Sequence, residues 1–143
     1  MRTIAGLMFA LALALGLPRL AQADDISPAD QATIRTMISN QIDAFRRDDG
    51  NAAYGFASPT IQGLYPSADQ FMSMVRNAYQ PVYRPQSVTF GQLSASPYGP
   101  LQKVFLVGPD GKSYVALYSL QRQPDGSWRI NGCTIVEDSG ATI

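Results

Sequence analysis

The chain contains no histidine and a single cysteine, Cys133. Without histidine, neither a Ser-His-Asp nor a Cys-His nucleophile system can be assembled, and the commonest side-chain ligand for soft metals is missing. One cysteine cannot form an internal disulfide, so packing alone must hold the fold together. Placed among apolar neighbours in a predicted strand, it reads first as a small buried hydrophobe, with a reactive thiol or an intermolecular bridge as the alternatives. Acidic side chains are missing from the interiors of all four predicted strands. They fall at caps, turns and the tail, as Asp30, Asp48, Asp49, Asp69, Asp110, Asp125, Glu137 and Asp138; Asp43 alone lies inside a helix. No apolar run after Leu17 approaches the ~20 residues that span a bilayer.

What is present begins with a leader. Arg2 is followed by the apolar run Ile4 to Leu17, then by Ala21-Gln22-Ala23 and an abrupt change to Asp24-Asp25. The positive start, short apolar stretch and small-residue site predict a signal peptide over 1–23, hence a periplasmic or secreted protein, and no stable membrane anchor after cleavage. Residues 24–143 form one predicted domain, large enough for one core and too short for two. Loss of Arg2 and Arg19 with the leader leaves nine basic against eleven acidic residues. That weakly acidic balance lacks the electrostatic footprint for nucleic acid.

Ser27-Pro28-Ala29-Asp30 has the residues of a helix start, and Ile34, Ile38, Ile42 and Phe45 continue it as an apolar stripe. Asp43 and Arg47 are placed to pair on the opposite face, and Asp48-Asp49-Gly50 ends the helix. That acidic cluster lacks the alternating spacing and closing Glu of a calcium loop, so it reads as a turn. A second helix is predicted over 52–57. A third opens at the capping box Ser67 to Gln70 and closes at Pro81, followed by the rigid connector YQPVYRP. Four strands follow, over 87–94, 101–107, 113–123 and 128–136. The last two connections between them are the turn peptides Gly108-Pro109-Asp110-Gly111 and Pro124-Asp125-Gly126-Ser127. On the third strand, Tyr114, Ala116, Tyr118 and Leu120 share one face and Val115, Leu117 and Ser119 the other. Both faces are largely apolar, so helices must cover one, and the other invites a second copy of the chain or stays partly exposed.

QIDAFRRDDGNAAYGFASP, residues 41–59, resembles the opening helix pair of the nuclear transport factor 2-like superfamily, which includes ketosteroid isomerases and SnoaL-like cyclases. DGSWRINGC, residues 125–133, resembles its terminal strand, where a Trp-x-Ile pair follows an Asp-Gly turn. With YQPVYRP between them, the pattern is most similar to a bacterial exported family described only as a domain of unknown function. The resemblance implies an α+β fold: a cone-shaped, curved antiparallel sheet of about four strands wrapped around three N-terminal helices, often dimerising through the sheet. The scaffold hosts enzymes, binders and assembly modules alike, so it does not fix an activity.

Enzymes of the superfamily abstract a proton with a pocket carboxylate, and many place histidine or other polar groups in alternation after the Trp-x-Ile pair. Here Gly132 and Thr134 stand there. The expectation is therefore a noncatalytic domain with no cofactor and no metal, binding a small apolar ligand or a partner protein. Tyr54, Phe56, Tyr79, Tyr83, Tyr118 and Asn131 are the candidate ligand contacts, since tyrosines offer flat apolar faces with one polar tip. Two alternatives stand beside it. One is an isomerase, dehydratase or cyclase using Asp43 or Glu137 as base; the other is a structural accessory of an envelope assembly.

Overall fold

The structure is a computed structural model that describes residues 26–138. The predicted leader lies outside the described residues. Five helices come first: α1 (Pro28–Arg46), α2 (Gly50–Gly55), α3 (Pro59–Leu64), α4 (Ala68–Ala78) and α5 (Gln80–Tyr83). Four strands follow: β1 (Ser87–Ser96), β2 (Gly99–Val107), β3 (Ser113–Arg122) and β4 (Trp128–Glu137). The strands form one antiparallel sheet in sequential order, giving an α+β architecture with helices against one face of an open meander. No helix among the described residues is long and apolar enough to cross a membrane.

The three expected helices are present as α1, α2 and α4, each with its N-cap side chain bonded. Ser27 Oγ accepts from Asp30 N–H, Asp49 from Ala52 N–H, and Ser67 Oγ from Gln70 N–H. Two short helices are additional. Ser58-Pro59 supplies both a cap and a first-turn proline, so the chain re-enters helix as α3 where a loop was expected. The YQPVYRP connector holds a single turn, α5, started by Pro81 in the same way. Arg46, one turn along from Asp43, takes the ion pair expected of Arg47, at 3.3 Å, while Arg47 sits 3.9 Å from Asp49.

The Ile34, Ile38, Ile42 and Phe45 stripe of α1 is buried against the inner sheet face, which carries Gln102, Val104 and Leu106 of β2 and Ala116, Tyr118 and Leu120 of β3. Two irregularities interrupt the pairing of that sheet. One lies between Phe90 and Leu93, the other at Asn131, where Ser119 and Leu120 pair with Gly132 and Ile130. The buried Gln102 amide serves the first, donating to the Gly91 carbonyl at 2.9 Å. At the second, the chain between α2 and α3 joins the sheet as a parallel bridge from Ala57 to Ile130. Ser58 N–H donates to Ile130 C=O and Ile130 N–H to Phe56 C=O, both at 2.8 Å.

Among the described residues, none covers the outer face. Phe105, Leu117 and Val136 are exposed there by 41%, 38% and 55%. Phe105, Val115 and Val136 form one cross-strand row over β2, β3 and β4.

Candidate functional site

A cavity of about 330 Å³ lies between the helices and the β3–β4 side of the sheet. Gln41 and Phe45 of α1, Ile61 and Leu64 of α3 and Tyr65 line one part of it. Phe71, Met74 and Val75 of α4, Tyr79 and Val82 line another. Tyr118 of β3 and Ile130, Gly132, Cys133 and Thr134 of β4, with Ala57, complete the wall. The elements meet there because the apolar stripes of α1 and α4 converge on the inner sheet face, and because the Ala57 bridge ties α3 to β4. The volume is at the small end of the range for ligand pockets.

Among the described residues, no Asp, Glu, Lys or Arg lines this cavity. The titratable groups on its wall are phenols and a thiol, and burial pushes three of them toward the neutral form. Tyr118 is raised well above 10, first by burial; Tyr79 is raised by burial and then by the neighbouring Cys133 and Tyr65. Burial also pushes the Cys133 thiol up to about 12, which makes it a poor nucleophile. Cys133 stands opposite Tyr118 in the β3–β4 register and helps to hold the phenol neutral, although Tyr118 Oη meets no hydrogen-bond partner. Gln41 is 4% exposed, and its amide donates to the Ala53 carbonyl at 3.1 Å, pinning α1 to α2.

Of the six side chains expected to contact a ligand, Tyr79 and Tyr118 line the cavity. The other four lie off its wall, and Tyr54, Asn131 and Tyr83 act there as structural ties. Tyr54 packs on Phe71 at 5.5 Å between ring centres and donates its hydroxyl to the Tyr65 carbonyl at 2.6 Å. Phe56 borders a separate groove with Trp128, outside the cavity wall. Asn131 Oδ1 accepts from the Ser58 hydroxyl at 2.8 Å, locking the bulge of β4 to the start of α3. Tyr83 is buried, with the Arg84 guanidinium 4.1 Å above its ring, and donates to Asp48. Of the residues that complete the wall, Tyr65, Met74 and Gln41 gave no functional signal in the sequence, and Cys133 gave only the alternatives of a reactive thiol or an intermolecular bridge.

Two acids sit beside a phenol, both off the cavity wall: Asp110 accepts from Tyr114, and Asp48 accepts from Tyr83 in a setting that is the reverse of a general base. Asp48 occupies a left-handed turn at φ 52° between α1 and α2, half exposed and off the cavity wall. The Tyr83 hydroxyl, then the Arg84 and Arg76 guanidiniums, hold its carboxyl below the ordinary 3.8. Asp43 pairs with Arg46 in solvent, and Glu137 lies 4.0 Å from Lys112 at the exposed end of β4.

Asp30, Asp110 and Asp125 are depressed as well, first by hydrogen bonds from Trp128, Tyr114 and Ser127. A carboxyl lowered by folding stabilises the native state above its unfolded pKa and loses that contribution as pH falls through the folded one. The expected profile is therefore a melting temperature insensitive to these groups above about pH 5, with a decline starting as pH drops below 3.8. Asp48→Asn should shallow that acid limb when melting is followed by circular dichroism. A midpoint that rises on acidification would contradict the assignment.

Residues 27–143 match the family described as Domain of unknown function (DUF4864). No curated protein matches the chain, and no solved structure does.

Proposed function

The chain belongs to the DUF4864 family, and from that premise we propose that it is an exported, noncatalytic binding domain built on the nuclear transport factor 2-like plan. Its ligand is a small apolar molecule or an apolar segment of a partner protein, held in the cavity between helices and sheet. Helices first, an antiparallel meander second and a hollow between them support the superfamily assignment. Export rests on the leader-like residues 1–23.

The observation that carries the binding reading is the character of the wall. It is aromatic and aliphatic, burial holds the Tyr79 and Tyr118 phenols and the Cys133 thiol neutral, and every carboxylate of the described chain lies elsewhere. Such a wall favours transfer of uncharged apolar surface out of water, at about 25 cal/mol per Å², and offers no carboxylate to abstract a proton. Asp43 and Glu137, the acids an isomerase-like reading would need, are both solvated and ion-paired.

The test uses Nile red, a neutral apolar dye. Its fluorescence should rise on binding, and at 100 times its Kd it should stabilise the protein by about 2.7 kcal/mol. It should also slow the reaction of Cys133 with a thiol reagent, since that thiol is part of the wall. Met74→Trp, which fills the cavity, should weaken the dye at least about tenfold, a difference of ~1.4 kcal/mol. Dye binding indifferent to Met74→Trp and to Cys133 protection would remove the cavity from consideration.

The same proposal places a second copy of the chain on the outer sheet face. The Phe105, Val115 and Val136 row, flanked by Leu117, is apolar across three strands. Around a two-fold axis one such patch serves as both halves of the interface.

A further inference from the structure

Gly132, Cys133 and Thr134 are consecutive residues of β4, and all three border the cavity. Side chains alternate along a strand, so this is not the signature of a wall formed by one sheet face. Cys133 stands opposite the buried Tyr118, while Thr134 stands opposite Leu117 on the exposed face. A single hollow touches such neighbours when it runs along the margin of the strand. β4 is the last strand in the order, so that margin is the open edge of the sheet.

The backbone of that edge has a definite pattern. Asp138 N–H donates to Ser113 C=O at 2.9 Å, which turns residue 138 toward β3. Alternation backward turns 136, 134 and 132 the same way and directs the N–H and C=O groups of Cys133 and Ile135 outward, into the margin. Ile130 is outward too, and it is already taken by the Phe56 to Ser58 segment. That bridge is the only strand-like partner on this edge among the described residues, and it ends where Pro59 starts α3. From Ile130 to Val136 the strand carries no charge and no proline, the devices that usually keep a sheet edge from pairing. Leu64, 67% exposed, forms an apolar lip to the same hollow.

We propose that the cavity and the β4 edge are one site, which takes an extended, uncharged segment of a partner protein as a fifth strand. The segment pairs its main chain with Cys133 and Ile135 and sends an apolar side chain into the hollow. This rests on the reading that the cavity is a binding site, and it narrows the ligand class from apolar molecules to peptides. A pure hydrocarbon filling the hollow would strip water from the outward amides without replacing their hydrogen bonds, whereas an extended peptide supplies both donors and acceptors. The neutral wall selects against a charged residue at the inserted position.

The experiment pans the protein against a phage-displayed library of random decapeptides, then titrates the enriched peptide into ¹⁵N-labelled protein. Enriched sequences should be uncharged with apolar residues at alternate positions, and the amides of Cys133 and Ile135 should shift more than those of β1 or β2. N-methylation along the peptide should weaken binding about tenfold at alternate positions and leave the intervening ones unaffected. Met74→Trp should weaken it as well. The proposal is overturned by failure to enrich any sequence, by uniform tolerance of N-methylation, or by edge-amide shifts that depend on protein concentration without peptide, the mark of β4 pairing with a second copy. If Nile red still binds in the cavity while no peptide is selected, the edge assignment alone falls; if neither binds, the cavity reading falls with it.

Discussion

Phe45→Ala is expected to remove about 3 kcal/mol of folding stability, the low end of the range for a buried aromatic truncated to alanine. Phe45 is 2% exposed near the C-terminal end of α1, and its ring meets Phe71 of α4 at 6.2 Å and Tyr83 of α5 at 6.3 Å. Three of the five helices therefore share one contact. Its backbone carbonyl also accepts from Arg84, so the end of α1 is held from two sides. The low end applies because the ring already borders the cavity, and truncation enlarges an existing hollow instead of opening a new one. For a domain whose whole stability is about 5–15 kcal/mol, this is a large share. Urea unfolding should show a lower midpoint with the slope unchanged. Phe45→Leu should recover more than half of the loss. A decrease below about 1 kcal/mol would mean that the helices are held together elsewhere.

Phe105→Glu should convert the proposed dimer to a monomer while leaving the fold intact. Phe105 is 41% exposed on the outer sheet face, and its ring lies over Gly91 of β1, where a Cβ would come within 2.7 Å of it. A carboxylate there costs the monomer little, because the position already meets water. In a two-fold interface the substitution counts twice, placing an unpaired charge from each copy in apolar surroundings. Association should weaken at least about 100-fold, or ~2.7 kcal/mol. Sedimentation of the wild-type chain over a range of concentrations is the reference, and an interface of about 1,000 Å² or more is needed to sustain it. A wild-type monomer at every concentration would remove the dimer, and the exposed row would then need a different partner.

The elements of the fold were legible because local signals agree with tertiary need. Ser27-Pro28, Ser67 to Gln70 and the two Asp-Gly turns mark boundaries whose cap bonds and positive-φ glycines are all in place. Gly111 and Gly126 adopt φ of 79° and 86°, which the turn peptides require. Ser58-Pro59 carries the same start signal as Ser27-Pro28, yet it reads as a terminator because proline also ends whatever precedes it. It does both: α2 stops at Gly55 and α3 starts at Pro59.

The site was far less legible. Aromatic type suggested five of the six ligand contacts, but a tyrosine next to the cavity and a tyrosine inside it have the same sequence signature. Tyr54 and Tyr83 are turned away by the Tyr65 carbonyl and by Asp48, partners 11 and 35 residues distant. Cys133 was legible as buried, whereas its place on a cavity wall depends on how far α3 stands from β4. The bulge at Asn131 sets the phase of the strand beyond it, and no residue type announces that shift.

The bridge between Ala57 and Ile130 has a kinetic corollary. The hairpins of the meander can zip from their turns within a short stretch of chain, but Ser58 must wait for Asn131, 73 positions later, before its hydroxyl finds an acceptor. Closing so long a loop is an entropic toll met only when most of the polypeptide is already ordered. The hollow is therefore a late product of folding, shaped when the first half of the chain docks onto its final strand. A nascent chain halted before residue 130 has the helices in sequence but no finished receptacle.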